Sequence, residues 1–128
     1  MGAGIRARSP AKVDPLLAPL RRLCLSLPET SETSSWGHPN FRAGKRTFVT
    51  FERFGGLASI AFRLDPIEVE ELEKQPGFMR TPYGQGRWVS LKTKPRPAWK
   101  LVQSLVLKSY RLVALRRMIL KLETTGVQ

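Results

Sequence analysis

Apolar positions change their spacing twice along this chain. At the start they recur at helical intervals, as Val13, Leu16, Leu17, Leu20, Leu23, Cys24 and Leu27, which predicts a helix over 13–26. Asp14 before Pro15 supplies an N-cap and a proline at the first helical position. Pro19 inside the pattern either kinks this helix or moves its start later, and Pro28 closes it. Residues 29–35 (ETSETSS) read as a polar connection. The period then becomes two. Residues 40–42, the turn Ala43-Gly44-Lys45 and residues 46–53 form a hairpin in which Thr47, Val49 and Phe51 alternate with Phe48, Thr50 and Glu52. Gly55-Gly56 marks the next turn, and 57–64 (LASIAFRL) is a third strand. Asp65-Pro66 opens a short helix over 66–74, with Glu68, Glu70 and Glu71 near its positive end, and Pro76-Gly77 ends it. Residues 78–86 read as loop and 87–94 (RWVSLKTK) as a fourth strand.

Helical spacing returns over 97–108, with Ala98, Leu101, Val102, Leu105 and Val106, and continues over 109–122 with Leu112, Val113, Leu115 and Ile119. The order predicts an α+β fold, an antiparallel sheet with helices packed on one face. At 128 residues the chain holds one domain, assigned to 13–122, with a flexible basic tail over 1–12 and a C-terminal tail over 123–128.

A hydrophobic content of 41% with three Trp argues for a packed core rather than disorder. No apolar run approaches the roughly 18 residues that span a membrane. The opening MGAGIRARSPAK lacks the apolar core of a secretory signal, and Arg6 stands where myristoylation of Gly2 wants Ser or Thr. Cys24 is the only cysteine, which excludes an intramolecular disulfide and a Cys-based zinc site and suits a reducing cytoplasm. Its place in the apolar pattern makes it a small core residue.

Charge is distributed unevenly. Residues 74–122 hold twelve Lys and Arg and no Asp or Glu, whereas the remainder holds ten basic and ten acidic residues, so the net charge of +12 comes from that run. Such a run faces solvent, a partner's acids or a polyanion, and nucleic acid is the commonest polyanion partner of a small basic protein. A solvated basic face is the plainer alternative.

Three blocks occur in order: Trp36-Gly37-His38-Pro39-Asn40-Phe41-Arg42 followed by Gly44-Lys45; Phe78-Met79-Arg80-Thr81-Pro82-Tyr83 followed by Gly86-Arg87-Trp88-Val89; and Ser109-Tyr110-Arg111-Leu112-Val113-Ala114. Together they resemble the MmcQ/YjbR family over about 16–118. The resemblance implies a small, mostly bacterial, cytosolic α+β domain of CyaY-like topology, usually described as DNA-binding, with no catalytic residue and no cofactor. Two departures matter. The family commonly has Pro where Leu115 stands, so a straighter final helix is expected here. The family's penultimate helix is often acidic around the positions of Lys100, Gln103 and Lys108; its basic character here enlarges the positive surface.

Candidate chemistry is sparse. His38 is the only histidine and has no cysteine beside it, so neither a metal site nor a catalytic triad is indicated; a turn residue with a local hydrogen bond is expected. Trp36 and Phe41 read as core or hairpin-packing residues in preference to base-stacking platforms. The glycine-containing loops at 53–56 and 83–86 lack phosphate-cradling patterns, although Arg80, Tyr83 and Arg87 stand near the second. Glu68, Glu70, Glu71 and Glu73 read as a solvated helix face. The candidate nucleic-acid-binding residues are Arg42, Lys45 and Arg46 around the first hairpin, then Arg80, Arg87, Lys92 and Lys94 around the fourth strand. Lys100, Lys108, Arg111, Arg116 and Arg117 on the C-terminal helices complete the set. Lys100, Ser104, Lys108 and Arg111 fall on one helical face opposite the apolar stripe. The expectation is a non-enzymatic, cytoplasmic DNA-binding protein with weak sequence preference, without cofactor, metal or membrane association. The alternative is a module for an acidic protein partner.

Overall fold

A computed structural model describes residues 14–54 and 56–125; the expected basic tail at 1–12 lies outside them. The elements are α1 (Leu17–Ser26), β1 (Thr30–Ser35), β2 (His38–Ala43), β3 (Arg46–Phe54), β4 (Leu57–Arg63), α2 (Pro66–Leu72), β5 (Phe78–Arg80), β6 (Trp88–Lys92), α3 (Trp99–Val113) and α4 (Arg116–Thr125). The six strands form one antiparallel sheet in the order β1-β2-β3-β4-β6-β5. The expected α+β arrangement with a helix-covered sheet is therefore present.

Cross-strand partners share a face, so the register sorts the side chains. Phe41, Val49, Phe62 and Val89 form one row and Phe51, Ile60, Leu91 and Phe78 the next. Both rows face the helices and join Leu20 and Cys24 of α1, Val69 of α2, Val102, Leu105, Val106 and Tyr110 of α3, and Met118 and Leu122 of α4 in one core. Phe48 adds to this core because the β2–β3 register shifts after Phe41. Its ring meets Tyr110 edge-on, with centroids 5.6 Å apart, and Tyr110 Oη donates to the Pro28 carbonyl at 2.7 Å, tying α3 to the end of α1. Cys24 is buried there, and burial pushes its thiol pKa up, leaving a packing residue.

Local chemistry explains the ends of the elements. Pro19 is tolerated because α1 starts at Leu17, placing the proline in the first turn, where backbone N–H groups have no intrahelical partner. Asp14 caps the turn before it, accepting from Leu16 N at 2.8 Å and from Thr93 Oγ1 at 2.7 Å. Asp65 caps α2 as expected, accepting from Glu68 N at 2.9 Å.

Four expectations need correction. Residues 30–35 are an edge strand, not a connection: β1 pairs along its length with β2, and its polar side chains suit an edge. Residues 78–80 pair with β6 and are not loop. The helix breaks after Val113 even without proline at 115, because Ala114 turns extended (ψ 151°); the final helix is not straighter. Consequently Val113, Met118 and Leu122 face inward, while Leu112 and Leu115 are exposed. The last helix also runs on to Thr125, into the stretch assigned to the C-terminal tail.

Candidate functional site

Two basic surfaces lie on opposite sides of the sheet. The helical one carries much of its own neutralisation. Lys108 pairs with Glu68 of α2, Arg111 with Glu123 at 3.4 Å, and Arg117 and Lys121 with Glu29 at 2.8 and 3.2 Å. Four of the six cations on α3 and α4 therefore hold a glutamate, two of them the same one, while Lys100 and Arg116 are exposed without an ion pair among the described residues. The Arg117 and Lys121 charges pull the Glu29 carboxyl down to about 2. Arg80 is likewise occupied, with Glu73 accepting at 2.7 Å from its Nε. The acids that neutralise this surface come from α2, its C-terminal cap, the turn before β1 and the end of α4. They lie outside the acid-free run of sequence and fold back against it.

Among the described residues, no helix covers the other side of the sheet. Its residues are the alternate positions of each strand. Asn40, Thr50, Ala61, Ser90 and Met79 form its middle row. Arg42 partners Thr47, and Arg63 partners Trp88, so two guanidiniums emerge toward one end of this face. Lys92 stands opposite Ser59 toward the other end. Burial lowers the Arg63 pKa, and the Arg46 and Arg87 charges lower it further. Leu64 N donates to the Arg87 carbonyl at 3.0 Å, so Arg87 adjoins the same end of β4. Among the described residues, no carboxylate lies within ion-pair distance of Arg42, Arg46, Arg63 or Arg87. Arg42 donates from Nη2 to the Lys45 carbonyl, and the buried Nε atoms of both Arg42 and Arg63 have no partner among the described residues.

Beside this cluster lies a cleft of about 390 Å³ lined by Ser35, Trp36, His38, Asn40, Thr47, Thr50, Glu52 and Tyr83. Trp36 and Gly37 are the two central residues of the β1–β2 hairpin turn, both with positive φ (55° and 79°), the geometry that suits a two-residue hairpin loop. Tyr83 belongs to the loop between β5 and β6. That loop is pinned over the sheet by Thr81 N donating to Trp88 O at 3.2 Å and by the Thr81 and Ser90 hydroxyls 2.8 Å apart. Gly84 is required there: a Cβ would sit 2.4 Å from the Trp88 ring, and its φ is +87°. Glu52 is buried on the cleft floor. Desolvation raises its pKa, opposed by the Thr50 hydroxyl and the His38 charge. His38 Nε2 lies 3.3 Å from the Arg53 carbonyl oxygen across the β2–β3 pair, a tertiary contact where a local turn bond is expected from sequence.

The twelve candidate cations are thus divided. Arg42 and Lys92 lie on the open face, and Arg46 and Arg87 act beside it on Arg63. Lys45 and Lys94 are exposed in the β2–β3 turn and beyond β6. Arg80, Lys108, Arg111 and Arg117 are salt-bridged, and Lys100 and Arg116 lie on the helices. Arg63 is the cation that sequence reasoning passes over; its only signal is alternation with Ser59 and Ala61 in a strand that otherwise reads as core. Trp36 corrects a further expectation: Phe41 is core, but Trp36 is 94% exposed at the cleft's edge. No group of three or more His, Cys, Asp or Glu capable of holding a metal gathers among the described residues. No helix among them is long and apolar enough to cross a membrane.

Comparison with known proteins agrees with this architecture. A Deinococcus radiodurans protein with a DUF419 domain superposes with a TM-score of 0.66 at 19% identity, covering 88% of each chain. A Pseudomonas syringae protein superposes with a TM-score of 0.57 at 19% identity, covering 65% of this chain and 86% of its own. Both share the fold. No curated protein matches the sequence. The YjbR family model matches residues 25–112, from the end of α1 through most of α3, and the chain belongs to the YjbR family.

Proposed function

We propose that this protein is a non-enzymatic DNA-binding protein that meets the phosphate backbone with the cations of its open sheet face and rim, with weak sequence preference. The observation that carries this reading is that Arg42, Arg46, Arg63 and Arg87, at one end of the sheet, have no carboxylate within ion-pair distance among the described residues. Like charges held together without counter-charge raise the energy of the free protein, and an arriving phosphate relieves that repulsion. Guanidinium suits the role because its planar fork donates two parallel hydrogen bonds to phosphate oxygens. Lys45, Lys92 and Lys94 extend the positive field around the cluster. The paired cations of α3 and α4 contribute less, because each must first leave its glutamate.

Titration into a labelled duplex of arbitrary sequence at several salt concentrations tests the proposal. Binding at low salt should weaken on a log–log slope of about 0.9 per phosphate engaged. Absence of binding at low salt would overturn the DNA reading and leave the same face to an acidic protein partner.

A further inference from the structure

We propose that the cleft beside the arginine cluster holds one unpaired nucleotide, its base between Trp36 and Tyr83 and its phosphate at Arg42 and Arg63. This rests on the phosphate-binding reading above and adds to it the kind of strand preferred.

Four observations converge. The cleft, at about 390 Å³, falls within the size range of small-molecule pockets. Trp36 is 94% exposed and held at a positive φ in the hairpin turn, so folding neither buries this ring nor relaxes its backbone. With Tyr83 it offers two aromatic rings to one space, and base–aromatic stacking is the usual way that unpaired bases are held. The floor is polar and buried: Thr50 and Glu52 are each 7% exposed. Asn40, in the row beside Thr50, offers both a donor and an acceptor to a base edge.

Strand geometry sets the direction of the nucleotide. Arg42 lies two residues along β2 from Asn40 and four from His38, roughly 7 and 13 Å. A nucleotide laid along β2 with its base at the aromatic end therefore brings its phosphate toward the guanidiniums. A base inside a duplex is stacked and paired and cannot enter such a cleft without being extruded. Single strands, and free mononucleotides of the same chemistry, can.

The test compares a short labelled single-stranded oligonucleotide with the duplex of the same sequence, using wild type, W36A, Y83A and R42Q/R63Q. Circular dichroism melts check folding, which the exposure of Trp36 protects. The expected result is a loss of about tenfold or more in single-strand affinity for W36A and Y83A, duplex affinity changed by less than about twofold, and both weakened in R42Q/R63Q. Recovery of single-strand binding in W36F, which restores a stacking ring, is also expected. Competition with adenosine monophosphate separates the sources: displacement of the single strand assigns the cleft to free nucleotides as well, and its failure assigns it to nucleotides within a strand. Equal losses on both DNA forms in W36A and Y83A, or no loss on either, would overturn the cleft proposal while leaving phosphate binding intact. If neither DNA form binds wild type, the phosphate reading fails, and the cleft is then judged by quenching of Trp fluorescence with adenosine monophosphate. Quenching present in wild type and lost in W36A supports it, and no quenching overturns it.

Discussion

The C-terminal helices and the open sheet face are both basic, but they treat their charge differently. On the helices, Lys108, Arg111, Arg117 and Lys121 each meet a glutamate brought from another part of the chain. On the sheet, Arg42, Arg46, Arg63 and Arg87 have no carboxylate within ion-pair distance among the described residues. The helical pairs are exposed, where an ion pair is worth roughly 0–1 kcal/mol, so they lower the local field more than they stabilise the fold. On the sheet, Arg42, Arg46 and Arg63 are anchored on strands, and the Nε atoms of Arg42 and Arg63 are buried. Counting positive charges does not locate an anion site; the location depends on which of them the fold leaves without counter-charge.

The largest effect that sharpens this comparison comes from R42Q/R63Q. Removing two charges from the sheet should weaken duplex binding by about tenfold or more at low salt and flatten the salt slope by about 1.8. Fluorescence anisotropy across a salt series measures both. The matching change on the helices, K108E/R111E, should alter duplex affinity by less than about threefold and lower stability by under about 1 kcal/mol, read from urea melts. An equal loss in the two variants would erase the distinction between the faces.

A third effect is on pH dependence. Glu52 has a raised pKa in the folded protein, so its protonated form is favoured by folding. The stability it supports is fully present below its unfolded pKa and declines as pH rises through the folded one. E52Q should therefore raise the melting temperature at neutral pH and leave it nearly unchanged at pH 4. Glu29 behaves in the opposite sense. Its folded pKa of about 2, against an ordinary 4.5, means that its contribution is present above pH 4.5 and is lost as pH falls toward 2. E29Q should remove that acid-sensitive portion of the melting curve. It should also free Arg117 and Lys121, giving the smallest change of the set, a slight rise in duplex affinity at low salt.

Much of the fold is legible in the sequence because burial imposes a period. Leu16, Leu20 and Cys24 mark the inner stripe of α1, Val102, Leu105 and Val106 that of α3, and the Asp65-Pro66 cap is a local signal that tertiary structure leaves intact. β1 is not legible, because an edge strand with mostly exposed polar side chains has no apolar alternation. The break at Ala114 is hidden for a different reason. Neither Gly nor Pro marks it, and it lets Val113 and Met118 both reach the core. The candidate site is harder to see than the fold. Sequence separates the acidic residues from the basic run, but Glu29 and Arg117 meet across 88 positions. Arg63 stands within LASIAFRL, where its neighbours disguise it as part of a core strand. Trp36 looks like packing material until the two-residue turn fixes it outside the sheet.

The proposed open-face DNA site is tested most directly by mapping where an added duplex touches the protein. Amide chemical-shift mapping by NMR, with duplex added stepwise at low salt, reads this without any mutation. The predicted shifts fall on β2, β3, β4 and the 81–87 loop around Arg42, Arg63 and Arg87. Shifts confined to α3 and α4, with the sheet unchanged, would contradict the central claim.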